Sequence, residues 1–236
     1  MPRHMRYLAK SGPIFSALKI ILRLFKSRPR ILGDENIPEK AVFISTHSGA
    51  SGPFTLSLYF PKIFVPWGAY PMTQGYRSRW RYLYHVFYTK KLKYPKFSAW
   101  VLASLFAIIS KRLYQGIHLI PSYPDIRIRK TLKESIAHLD AGNSILIFPE
   151  DSESGYLEVP IVFHAGFVQL VKEYHKVNNA DIPVVPIYFS KKERLIMIGP
   201  GESILERLKH QDKREIADYF RMKIQAMSEE YQAEVK

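Results

Sequence analysis

The run Ala41-Val42-Phe43-Ile44-Ser45-Thr46 ends at His47, and the chain then turns glycine-rich through Ser48-Gly49-Ala50-Ser51-Gly52-Pro53. A short apolar run bounded by turn residues reads as a buried strand. A second run, Ser144-Ile145-Leu146-Ile147-Phe148, stops at Pro149-Glu150-Asp151-Ser152-Glu153-Ser154-Gly155. Both deliver polar groups where a strand ends, and open α/β folds place their chemistry there.

The rest of the chain alternates in the same manner. Strands are expected at 41–46, 62–66, 117–121, 144–149, 183–189 and 194–198, and helices at 12–27, 53–59, 77–89, 97–112, 127–141, 164–176 and 212–232. Gly142-Asn143 is a C-terminal cap for the 127–141 helix. Pro183 and Pro186 point to an edge position or a bulge for their strand. Strands alternating with helices imply a layered α/β domain with a mostly parallel central sheet flanked by helices. A chain of 236 residues, 47% hydrophobic, is ordinary for one such unit. We divide it into a basic amphipathic N-terminal helix, 1–33, and a single α/β domain, 34–236.

Charge is distributed unevenly. Residues 1–124 hold 19 Lys and Arg against Asp34, Glu35 and Glu39, whereas residues 125–236 hold 16 against 18 acids. No carboxylate occurs between Glu39 and Asp125. Such asymmetry implies a polyanionic partner, either nucleic acid or an anionic membrane surface.

The neighbouring residues favour the membrane. In the 12–27 segment Lys19, Arg23 and Lys26 recur four and three residues apart, giving a narrow basic stripe beside a broad apolar face. A helix of this kind lies in the headgroup layer, each cation adding roughly 1 kcal/mol of attraction to anionic lipid. The alternative is a first helix docked on the protein's own core. The apolar stretch 97–110 is shorter than the ~20 residues needed to span a bilayer, and reads as a buried helix or one edge of an acyl-chain groove. The protein is therefore expected at the cytoplasmic face of a membrane, peripheral or monotopic. Arg77-Ser78-Arg79-Trp80-Arg81-Tyr82-Leu83-Tyr84 mixes cations with aromatics, suiting either stacked bases or a lipid interface. No zinc spacing, RNP-like strand or helix-turn-helix accompanies it, so no nucleic acid is expected. The N-terminus lacks an apolar core followed by a cleavage site and reads as mature protein.

Several chemistries are excluded. There is no cysteine, hence no disulfide, thiolate metal site or cysteine nucleophile, which suits a reducing compartment. His85, His118, His138, His164, His175 and His210 show no metal-ligand spacing. Dinucleotide and Walker glycine loops and a serine-hydrolase elbow are absent.

The two strand ends resemble motifs of the glycerolipid (lysophospholipid) acyltransferases. His47 takes the histidine of their H-x4-D motif, with Gly52 where the family has aspartate. Phe148-Pro149-Glu150 matches the start of F-P-E-G-T-R-S, with Asp151 for the glycine and Glu153 for the arginine. Gly116-Ile117-His118-Leu119-Ile120-Pro121 and Ile182-Pro183-Val184-Val185-Pro186-Ile187 are similar to the second and fourth motifs. Phe163-His164-Ala165-Gly166-Phe167 is similar to a helix-opening F-x-x-G segment. The likeness spans roughly residues 38 to 200 and implies a glycerol-3-phosphate acyltransferase-like fold.

The resemblance also implies a reaction: transfer of a fatty acyl group from an acyl-CoA or acyl carrier protein thioester to a lysophospholipid or glycerol-phosphate-like acceptor. The thioester is a co-substrate; no tightly bound cofactor or metal is expected. His47 would be the general base, and backbone groups at Ser48, Gly49 and Gly52 would hold the oxyanion. The missing aspartate must be replaced from elsewhere, by Glu150, Asp151 or Glu153, with Asp151 favoured. Pro149, Glu150 and Glu153 would shape the acceptor site. Arg127 and Arg129, opening a predicted helix, could replace the lost arginine as phosphate ligands. The alternative is a homologue that has lost catalysis and acts as a lipid-binding or scaffolding protein.

Overall fold

The structure is a computed structural model, described for residues 12–47, 51–150 and 161–235. Its elements in chain order are α1 (Pro13–Phe25), β1 (Arg30–Leu32), a 3-10 turn (Asp34–Asn36), β2 (Val42–Ser45), α2 (Ser51–Tyr59), β3 (Phe64–Ala69), a second 3-10 turn (Tyr70–Thr73) and α3 (Tyr76–Arg81). A π-helix (Tyr82–Lys91), α4 (Lys96–Gly116), β4 (Ile120–Ser122), α5 (Ile128–Asp140) and β5 (Ser144–Ile147) follow. The chain closes with α6 (Gly166–Asn178), β6 (Val184–Ser190), β7 (Leu195–Ile198), α7 (Arg207–His210) and α8 (Lys213–Val235).

The sheet has seven strands in the order β1-β7-β6-β2-β5-β3-β4. The five strands β6 to β4 in that order run parallel, while β7 pairs antiparallel with β6 and parallel with β1. Alternation along each strand assigns its two faces. Val42, Ile44, Ile145, Ile147 and Val184 point towards α5, α6 and α8, whose Leu132, Leu139, Phe167, Val171, Ile216 and Phe220 cover them. Phe43, Leu146, Val185 and Ile187 point the other way, onto α2 and Leu22 of α1. The α/β architecture expected from the alternating elements is the one observed.

Local departures from expectation have physical causes. β6 is an interior strand despite Pro186. The carbonyl of Pro186 accepts from Gly199, just past the end of β7, so its missing N–H falls where the antiparallel ladder stops. β1, not anticipated, adds the Arg30–Leu32 segment to the edge of the sheet. The expected 77–89 helix is split into α3 and the π-helix. Its Arg79 is buried and donates to the Ala107 carbonyl through Nε (3.2 Å) and Nη2 (3.0 Å) and to the Gln74 carbonyl through Nη1. Trp80 donates to Ser104 and stacks on Tyr84. This cation–aromatic segment therefore holds α3 and the π-helix to α4 and is no open stacking platform.

The largest differences concern α1 and α4. α4 extends to 21 residues, long and apolar enough to cross a membrane by length and composition. Its small residues Ala99, Ala103 and Ala107 face the protein, whereas Phe97, Trp100, Leu105, Ile108 and Ile109 are exposed, so it is not the buried helix expected. α1 is turned likewise. Ile20, Ile21, Leu24 and Phe25 are exposed, Leu24 by 79% and Phe25 by 86%. Arg23 donates to the Leu58 carbonyl (Nε, 2.9 Å) and Lys26 to the Thr55 hydroxyl (2.6 Å). Two cations of the basic stripe thus hold α1 to α2 instead of reaching outward. The N–H of Gly12, at the start of α1, donates to Gly116 at the end of α4 (2.9 Å). A Cβ on Gly116 would stand 2.9 Å from Phe15 Cβ, so glycine permits this approach.

Candidate active site

β2 and β5 are adjacent, parallel and buried along their length, with Ile44 opposite Ile147. Three residues beyond that pair come His47 and Glu150, which parallel register carries to the same height. The Glu150 Oε1 atom accepts the backbone N–H of His47 (2.7 Å), and Oε2 lies 3.5 Å from His47 Nδ1. One carboxylate thus hydrogen-bonds the backbone and faces the ring of the same residue. That ring contact is slightly longer than the 3.2 Å of a tight hydrogen bond, and unliganded catalytic pairs commonly are.

Further contacts limit the imidazole. Its ring packs on Phe148, with centroids 4.4 Å apart and planes tilted 39°. The Glu150 side chain is 4% exposed and that of His47 18%, so the carboxylate is shielded while the histidine stays accessible. Glu150 is fixed in turn by the returning chain: it bridges to Phe163, and the Pro149 carbonyl accepts from His164 (2.7 Å). α6 then opens at Gly166, where a Cβ would stand 3.1 Å from the Trp67 ring.

Gly52 packs tightly against the end of β2. Its N–H donates to the His47 carbonyl (2.9 Å), and a Cβ would lie 2.3 Å from His47 O and 3.0 Å from Thr46 O. Those atoms are backbone and cannot swing aside. With this turn, position 52 excludes any side chain.

The same strand-end edge carries a second cluster. Ala69 of β3 is opposite Ser122 of β4, so Tyr70 and Tyr123 follow side by side, their rings 5.2 Å apart. The Arg127 guanidinium sits 5.0 Å from one ring centroid and 4.7 Å from the other. It also binds Asp125 in a fork, Nε to Oδ1 at 2.9 Å and Nη2 to Oδ2 at 2.6 Å. Those bonds hold the Asp125 carboxyl down at about 2 and raise Arg127 further. Arg129, in the first turn of α5, is exposed and makes no side-chain hydrogen bond or ion pair among the described residues. β4 lies three strands from β2, roughly 14 Å at ~4.8 Å per step.

The structure thus gathers His47, Gly52, Phe148, Pro149 and Glu150, and sets Arg127 and Arg129 apart on the same edge. Ser48, Gly49, Asp151 and Glu153 lie outside the described residues. Sequence reasoning missed the Phe148 ring, the exclusion at Gly52 and the tyrosine pair. Equal offsets past two paired strands would have found the last, given the pairing. Among the described residues no group of three or more acidic or histidine side chains could hold a metal.

Fold and site define a class: an α/β protein with a histidine–carboxylate pair at the carboxyl edge of a mostly parallel sheet. The acyltransferase family model matches residues 28–190, and the chain belongs to the acyltransferase family. Acyl transfer is its general activity. No curated protein matches the chain.

Proposed function

We propose that the protein is a membrane-surface O-acyltransferase that moves a fatty acyl group from acyl-CoA or acyl carrier protein to the hydroxyl of a lysophospholipid or glycerol-phosphate-like acceptor. The observation that carries this reading is the grip of Glu150 on His47. A carboxylate facing Nδ1 favours the tautomer protonated there and leaves the Nε2 lone pair for substrate. Nε2 takes the acceptor's proton as its oxygen attacks the thioester carbonyl. The tetrahedral oxyanion collapses, the C–S bond breaks as the C–O ester bond remains, and the imidazolium returns the proton to the departing thiolate. Glu150 stabilises that imidazolium, the role the family gives to the aspartate absent at Gly52. Arg129, exposed on this edge, would meet an acceptor or donor phosphate.

The partner surface in this reading is an anionic bilayer. α1 and α4 adjoin and turn large apolar side chains outward, on a chain of formal net charge +14. Anionic lipid answers both properties together.

Purified protein should acylate lysophosphatidate or a related acceptor from a fatty acyl thioester. His47→Ala should abolish turnover. Glu150→Gln should lower kcat by roughly 10²- to 10⁴-fold, by analogy with neutralising the orienting carboxylate of a serine-protease triad. Gly52→Asp should not rescue it. Full activity in Glu150→Gln would refute the orienting role. Inactivity with every acceptor, with vesicle binding retained, would favour the non-catalytic lipid-binding reading.

A further inference from the structure

A cavity of about 560 Å³ lies between α1, α2 and the segments leading into β3 and β4. Lys19, Arg23, Arg28, Lys62 and His118 line it, and Asp34 is the one carboxylate among its lining residues. Residues 62–64 and 116–118 lie where β3 and β4 begin, the opposite edge of the sheet from His47. This cavity is therefore not the transfer site.

Its positive charge outweighs its negative, four Lys and Arg against the one lining carboxylate. Arg23 donates to the Leu58 carbonyl, and Lys62 to the carbonyls of Pro38 (2.5 Å) and Glu39, whose carboxylate also attracts the Lys62 ammonium. The side chains of Lys19 and Arg28 make no hydrogen bond or ion pair among the described residues. Burial, followed by the charge of Arg23, pushes the Lys19 ammonium below its ordinary value. Phe15, Leu56, Phe60 and Ile63 supply an apolar wall beside the cations.

We infer that the cavity beneath α1 binds the phosphate group of an anionic amphiphile, at a site separate from His47. Four long cations converge on a space large enough for a phosphate and its glycerol. The apolar wall suits the start of an acyl chain, and α1 turns its exposed apolar residues away from the same cavity. Phosphate chemistry is shared by a lipid headgroup and a free phosphate, and the apolar wall favours the lipid. The inference does not depend on the chemistry at His47.

The test is calorimetric titration of the full chain with dioctanoyl phosphatidylglycerol below its micelle concentration, with dioctanoyl phosphatidylcholine and inorganic phosphate as separate arms. Phosphatidylglycerol should bind, and Lys19→Gln and Arg28→Gln should each weaken it about tenfold. Thermal melts should show both variants folded. Inorganic phosphate bound as tightly, and weakened by the same variants, would support the site with free phosphate as its ligand. No binding of either, binding indifferent to both variants, or equally tight phosphatidylcholine would overturn the proposal. His47→Ala should leave this binding unchanged, and Arg28→Gln should leave acylation of a soluble short-chain acceptor unchanged, so this inference and the transferase reading fail separately.

Discussion

α6 and α1 are both amphipathic helices of 13 residues, one packed on each face of the sheet, yet they resolve their amphipathicity in opposite ways. α6 buries Phe167, Val168, Leu170, Val171 and Tyr174 and leaves Lys172 and Lys176 in water. α1 lays Arg23 and Lys26 against α2 and leaves Ile20, Ile21, Leu24 and Phe25 outside. For α6 the apolar partner is the protein itself. For α1 much of the apolar stripe is exposed among the described residues, and α4 repeats the pattern next to it. The lesson is that an amphipathic pattern specifies two stripes without saying which one the protein keeps.

Phe167→Ala should cost about 3–5 kcal/mol, because Phe167 is fully buried against the Phe220 ring and the site cannot collapse freely. Urea denaturation would measure it, and a loss under 1 kcal/mol would mean the α6 face is less tightly packed than described. The matching change on α1, Leu24→Ser with Phe25→Ser, should leave stability within about 0.5 kcal/mol. It should instead weaken sedimentation with anionic vesicles by on the order of a hundredfold, from the apolar area withheld from lipid. Unchanged vesicle binding would leave the outward stripe without a role in lipid contact.

The smallest effect concerns a polar cluster outside both helix faces. Asp125 titrates near 2 in the folded chain, against 3.8 for the free group, first through its side-chain bonds to Arg127 and then through the Arg127 backbone N–H. A depressed carboxyl contributes stability above its unfolded value and loses it as pH falls through the folded one. The difference in melting temperature between the parent and Asp125→Asn should therefore be steady above pH 4 and close towards pH 2. A difference that instead widened in acid would contradict the pairing.

Much of this was legible in the chain. The runs ending at His47 and Phe148 are strands, they are neighbours, and Glu150 meets the histidine. The substitution at position 52 was legible too, but the closed space around it, filled by the Thr46 and His47 carbonyls, was not. That Glu150 is an acid beside His47 was likewise hidden, since their meeting emerges only when β2 and β5 are paired. The apolar 97–110 stretch was visible, whereas its continuation to Gly116 and its outward face depended on what the alanine stripe found to pack against.

From the sequence alone came the alternation of strands and helices, the polar strand ends, the basic first half and the period of each stripe, because these follow from backbone periodicity and side-chain chemistry within one segment. Tertiary structure alone decided the register that sets His47 beside Glu150, the closed space at Gly52, and the inward turn of α1's cations. Those depend on contacts between residues far apart in the chain, and local periodicity carries no information about which distant surface a stripe will meet.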